Sequence, residues 1–149
     1  MRPKILDLNK TDESLETEGV WLAMPDGSEY RVKRFGGFNT SEIERIRAQR
    51  LKPVAKLVEK GLLPQEQLNK INTEIFLESC LVDWKNVFEE EVPYSLDLAK
   101  EIFVEHKGMN DSEIQAINEI LSYLIEYSLA KDTYKEDLGN SLPDLSGGN

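Results

Sequence analysis

The stretch Val20-Trp21-Leu22-Ala23-Met24-Pro25-Asp26-Gly27-Ser28-Glu29-Tyr30-Arg31-Val32-Lys33-Arg34-Phe35 decides the fold. Val20 to Met24 is a short apolar run of strand composition. Pro25-Asp26-Gly27 then supplies turn chemistry, because proline presets φ and glycine accepts the positive φ that closes a tight turn. Beyond the turn, Tyr30, Val32 and Arg34 alternate with Arg31, Lys33 and Phe35, a period of two. Together these predict a β-hairpin over Val20–Phe35. A lone two-stranded hairpin is marginal in water, so it requires helices to pack on or another chain to pair with.

The rest of the chain reads as helices. Gly36-Gly37 breaks the second strand, and Ser41 and Glu44 have the spacing of a capping box. The helix they open carries Ile43, Ile46 and Leu51, then Val54, Ala55 and Val58. Pro53 removes one hydrogen bond and clashes a turn back, so a kink or break is expected near Lys52, with Gly61 as the stop. Pro64 opens a second helix, with Leu68, Ile71, Ile75 and Val82 on one face, running to about Val82 or Trp84. Residues 85–94 read as a loop. Ser95 caps a third helix with Leu98, Ala99, Ile102 and Phe103 on one face, stopped by Gly108. Asp111 or Ser112 caps the fourth and longest, whose stripe is Ile114, Ile117, Leu121, Leu124 and Ser128. The predicted fold is α+β and mainly α: an N-terminal β-hairpin followed by a small bundle of about four helices, in one domain over residues 19–137. Residues 1–18 are polar and read as a flexible arm, and residues 138–149 as a flexible tail.

Composition narrows the class. The 149 residues carry 18 basic and 28 acidic side chains, a formal charge of −10. The longest run free of Asp, Glu, Lys and Arg is seven residues, at Gly19–Pro25 and Phe35–Ser41. A membrane helix needs roughly 18, so no span is expected. The N-terminus lacks the apolar stretch of a signal peptide, and the single cysteine, Cys80, fits a reducing compartment. The charge is uneven. Residues 31–60 hold nine basic and three acidic side chains, a net +6, so the other 119 residues sum to −16.

Catalytic chemistry is unsupported. Gly36-Gly37 is followed by Phe-Asn and is no phosphate-binding loop. Cys80 and His106 are two residues where a structural zinc needs four ligands, and Glu89-Glu90-Glu91 lacks the alternate spacing and glycine of a calcium loop. His106 is placed in the last turn of the third helix, where its charge suits the dipole, and Cys80 within the second as a small apolar side chain. No enzyme and no cofactor are expected. Nucleic acid is disfavoured as a partner by the acidic whole, with a pI near 4.7. A protein partner is the better use of the basic segment, which makes Arg45, Arg47, Arg50, Lys52 and Lys56 candidates for docking an acidic surface. Trp21 and Trp84 are candidate anchors, since tryptophan is enriched at binding hot spots, with the core as the other reading of each.

The order of features also resembles a known family. A hairpin with a Pro-Asp-Gly-Ser turn leads to a helix with spaced arginines. Then come Leu81-Val82-Asp83-Trp84-Lys85-Asn86-Val87, an acidic loop, and Val92-Pro93-Tyr94-Ser95 opening another helix. Over roughly residues 19–128 this resembles the tail assembly chaperones of long-tailed bacteriophages. Asn86 stands where that group more often has glycine, and Glu89–Glu91 lacks the glycine common in its loop. The resemblance implies a non-catalytic protein of the host cytoplasm, absent from the mature virion. It would bind the tape-measure protein and recruit tail-tube subunits, with self-association a further possibility, and no individual binding residue carries over. Free hairpin edges suit strand exchange with a partner, and flexible termini suit tethering. Two other readings stand beside it: a structural virion protein, such as a tail-completion or head–tail connector protein, and a small acidic inhibitor mimicking nucleic acid.

Overall fold

The computed structural model describes residues 1–7 and 10–135. Its elements, in chain order, are α1 (Glu13–Glu18), β1 (Val20–Ala23), β2 (Glu29–Val32), α2 (Thr40–Leu51), α3 (Ala55–Glu59), α4 (Gln65–Ser79), β3 (Leu81–Lys85), α5 (Leu96–Phe103) and α6 (Asp111–Leu129), with short 3₁₀ turns between some of them. The fold is α+β and mainly α, as the hairpin and the four long periodic segments predict.

The hairpin forms where the turn chemistry places it. Met24 and Ser28 close it, with the Met24 amide donating to the Ser28 carbonyl at 2.8 Å. The Asp26 carboxylate accepts from the Ser28 amide at 2.9 Å. It does not stand alone, because β3 pairs antiparallel with β2 and gives the order β1-β2-β3. This corrects the second helix, expected to run to Val82 or Trp84: α4 ends at Ser79. The physical reason lies in the register. Arg31 pairs with Asp83 and Val32 with Leu81, so Val82 is an extra residue bulged out of the ladder. The bulge rephases the strand, which turns both Leu81 and Trp84 inward although they stand three positions apart in sequence. That spacing looks helical in the sequence.

One face of the sheet builds the core. Leu22, Tyr30, Val32, Leu81 and Trp84 join Ile75, Phe76 and Leu77 of α4, Ala99, Ile102 and Phe103 of α5, and Leu121 and Leu124 of α6. Edge-on ring contacts, Tyr30 on Phe103 at 6.2 Å and Phe35 on Phe76 at 5.5 Å, tie the hairpin to the helices. Tyr134 is fully buried, and its hydroxyl donates to the Val32 carbonyl at 3.0 Å.

Other expectations change at helix ends. The Ser41–Glu44 capping box is not formed: a 3₁₀ turn over Gly37–Asn39 carries the chain into α2 two residues earlier, with no side-chain cap. Lys52–Val54 is a 3₁₀ turn between α2 and α3, the break Pro53 predicts. Ser95 caps α5 as expected, accepting from the Leu98 amide at 3.1 Å. The cap of α6 is Asn110, which forms a reciprocal box with Glu113, rather than Asp111 or Ser112. His106 lies past the end of α5 at φ +53°, off the helix on which it was expected.

The flexible arm over residues 1–18 is also corrected for its second half. Asp12 caps α1, and its amide donates to the Tyr134 carbonyl at 2.9 Å. Glu16 is fully buried. Its carboxylate accepts from Arg34 at 3.1 Å, from the Phe38 amide at 3.0 Å and from the Thr11 hydroxyl. Asn39, at the N-cap position of α2, donates its side-chain NH2 to both the Glu16 and Arg34 carbonyls at 2.8 Å and makes no side-chain capping bond to the helix. A polar sequence is held by a polar network rather than by apolar burial, although the buried Arg34 Nε has no hydrogen-bond partner among the described residues. The tail expected over residues 138–149 lies outside the described residues.

Candidate protein-docking surface

The candidate basic residues separate into two sets. On α2, Ile43 and Ile46 face the core, and the arginines radiate around the remaining sides. Arg45 pairs with Glu42 through a 2.9 Å hydrogen bond, and Arg47 pairs with Glu44, both one turn back on the same helix. These pairs are well exposed, so water and salt screen them and each contributes little to stability. The Glu42 carboxyl is held below its ordinary range by the Arg45 hydrogen bond. Arg50 turns toward α4. It contacts Glu74 at 3.3 Å and donates to Glu78 at 2.9 Å, while Lys100 of α5 reaches Glu78 at 3.0 Å. Arg50 therefore ties α2 to α4, in a cluster that Lys100 extends to α5, and is committed to the domain itself.

Lys52 and Lys56 differ. Both are exposed, as is Lys60, and among the described residues none of these three ammonium groups has an ion-pair or hydrogen-bond partner. Spaced four apart, the lysines form a stripe along the 3₁₀ turn and α3. Every residue from 55 to 62 is exposed. Leu57, Val58 and Leu62 are 40%, 46% and 64% exposed. The segment is nevertheless well formed. The Leu62 amide donates to the Leu57 carbonyl at 2.8 Å and the Gly61 amide to the Val58 carbonyl at 3.0 Å, with Gly61 at φ +68°. This is a Schellman closure, which fixes the residue after the glycine against the last turn and here ties Leu62 to Leu57 through the backbone. The sequence assigned Val58 to a helix's buried face and did not single out Leu57 or Leu62. Gly61 four residues after Leu57, beyond a proline break, was the available signal.

The two tryptophans part company. Trp84 is 4% exposed, donates its indole N–H to the Val92 carbonyl at 2.9 Å, and meets Tyr94 at 5.1 Å and Phe88 at 5.9 Å. Trp84 is a core residue and not a surface anchor, because its ring is buried and its one donor holds the end of the acidic loop. Tyr94, against it, donates to the Leu81 carbonyl, and burial pushes its hydroxyl up to about 12. Trp21 is partly exposed on the outer face of the sheet, under the Lys85 ammonium at 4.1 Å. Such a contact contributes about 0.5–1 kcal/mol at an exposed site. Trp21 is not near-continuous with Trp84: in β1 and β3 they point to opposite faces.

The remaining chemistry-bearing side chains stand apart. Cys80 is fully buried, and burial pushes its thiol up to about 12, which keeps it protonated and unreactive at neutral pH. His106 borders a groove of about 1030 Å³ between α4 and α6, with Asn69, Thr73, Asn118 and Ser122 on its walls. No group of three or more His, Cys, Asp or Glu among the described residues is arranged to hold a metal ion. None of their helices is long and apolar enough to cross a membrane. Comparison with family models, curated proteins and solved structures finds no match to this chain.

Proposed function

We propose that this chain is a non-catalytic assembly factor of the phage-tail chaperone kind, binding the tape-measure protein and bringing tail-tube subunits to it in the host cytoplasm. The observation that carries the reading is the ordered series from the Pro-Asp-Gly-Ser hairpin through Leu81–Val87 and the acidic loop to the Val92–Ser95 helix start. Physical support comes from the surface. A protein that holds subunits and later releases them needs modest, charge-steered contacts rather than a large apolar interface. The lysine stripe, unpaired among the described residues, has that character with its exposed leucines, and β1 is an edge strand of the sheet to which a partner's strand could add.

Co-expression with the tape-measure and tail-tube proteins of the same genome tests the reading. The expected result is co-purification with at least one, in a complex that dissociates as salt is raised. Mass spectrometry of purified particles should find the chain absent or strongly substoichiometric. A stoichiometric presence in the particle would replace the chaperone by a structural virion protein.

A further inference from the structure

We infer that the segment Lys52–Leu62 is a preformed docking knob for an acidic, leucine-bearing helix of a partner protein. Three observations carry this. First, Val54 alone of this segment packs partly against the core, while residues 55–62 are all exposed and present Leu57, Val58 and Leu62 to water. Exposed apolar groups gathered on one short element mark interaction surfaces. Second, the Schellman closure at Gly61 fixes the Leu57–Leu62 pair before any partner arrives, so little ordering entropy opposes docking. Third, Lys52, Lys56 and Lys60 outnumber the one acid, Glu59, giving +2 on a chain whose remainder carries −12. The charges that complement this knob are therefore acidic, and the apolar pair between them requires aliphatic side chains at helical spacing.

Charge also selects a protein helix over other acidic partners. A bilayer or a nucleic-acid duplex presents negative charge over an extended surface, which would face the acidic body of the chain as well as the knob. A single helix meets the knob alone, within the roughly 8 Å over which physiological salt leaves charges unscreened. The inference rests on the reading above that the chain works by holding a partner. It moves the dock from the arginines of α2, which are internally paired, to the lysines and leucines that follow.

The test follows the backbone amides of the full chain by NMR while adding a synthetic helical peptide of about 18 residues, five turns, with leucine at every third or fourth position and glutamate elsewhere. Shifts confined to residues 52–62 are expected. Leu57→Glu with Leu62→Glu, and separately Lys52→Glu with Lys56→Glu and Lys60→Glu, should weaken the peptide at least about tenfold and leave the thermal midpoint in place. The same variants should lose the tape-measure or tail-tube protein. Peptide shifts elsewhere, or none, overturn the knob. So does tighter binding of phosphatidylserine vesicles or duplex DNA by the segment. Shifts there that depend only on chain concentration would assign a second copy as the occupant, and contacts from residues 136–149 to Leu57 and Leu62 would assign the chain's own tail; either overturns the partner. If both variants bind the two phage proteins like wild type, the knob fails and the chaperone reading stands. If wild type binds the peptide but neither protein, the chaperone reading fails and the knob stands.

Discussion

Two short helices of similar length have opposite fates. α1 is Glu-Ser-Leu-Glu-Thr-Glu, among the most polar stretches of the chain, and it is docked with Glu16 fully buried. α3 is Ala-Lys-Leu-Val-Glu, more apolar, and it is exposed at every position. Hydropathy would rank them the other way. What decides is the supply of partners. Glu16 finds an arginine and a backbone amide in the turn that follows β2 and the Thr11 hydroxyl just ahead of its own helix, so its charge is compensated as it leaves water. Leu57 and Leu62 are joined by a backbone hydrogen bond and their side chains stay exposed, past the break at Pro53 and outside the core built by α4, α5 and α6.

The comparison breaks most easily at Glu16. Glu16→Ala leaves Arg34 partly buried with its partner gone, and the expected loss is about 3 kcal/mol of unfolding free energy, read from the urea midpoint. A change below about 0.5 kcal/mol, the ordinary surface value, would show that α1 is held by something else. Gly37→Ala should cost about 2 kcal/mol. Its φ is +55°, and the new methyl would collide with the Glu16 carboxylate and the Arg34 guanidinium. Gly61→Ala sharpens the contrast, since its φ is +68° but its surroundings are open. Only backbone strain remains, so about 1 kcal/mol is expected, together with loosened amides at residues 57–62.

A smaller, local effect is expected in acid. The Asp12 carboxyl is held below its ordinary value of 3.8, chiefly by the Ser14 hydroxyl. A depressed folded value means that the cap's contribution is present above 3.8 and is lost as pH falls through the folded value. The α1 amides of wild type should therefore exchange faster from pH 4 downward than those of Asp12→Asn, which keeps the acceptor without the titration. α3 has no such cap and should not respond. Smallest of all, Leu57→Ser and Leu62→Ser should shift stability by no more than about 0.5 kcal/mol. A larger loss in a thermal melt would mean that these leucines do pack on the domain.

Legibility in the sequence followed the same division between local and distant causes. The hairpin was readable because Pro25-Asp26-Gly27 and the alternation beside it act within a few residues. The long helices were readable from their stripes. β3 was hidden because the bulge at Val82 gives Leu81 and Trp84 the spacing of a helix. α1 was hidden because its anchor is a carboxylate whose partners lie 18 and 22 residues away. At the candidate surface, the basic residues were visible, and so were Glu42 and Glu44 one turn before Arg45 and Arg47. The commitment of Arg50 to Glu74 and Glu78 was not, since those lie on another helix. Nor could the exposure of Leu57 and Leu62 be read from residues that would equally suit a core.

The sheet's order has a consequence for the chain as it is made. β2 is the middle strand, but its second neighbour, β3, lies about 50 residues further on, across α2, α3 and α4. At synthesis rates of about 5–20 residues per second, one edge of β2 waits roughly 3–10 s for its partner. Helices need only microseconds, so α2 and α4 are formed while the strand is still half-paired. Arg31, Lys33 and Arg34, on and just after that strand, are the kind of charge that discourages a wrong strand from pairing in the interval. The last gap in the core closes only when Tyr134 arrives to meet Val32.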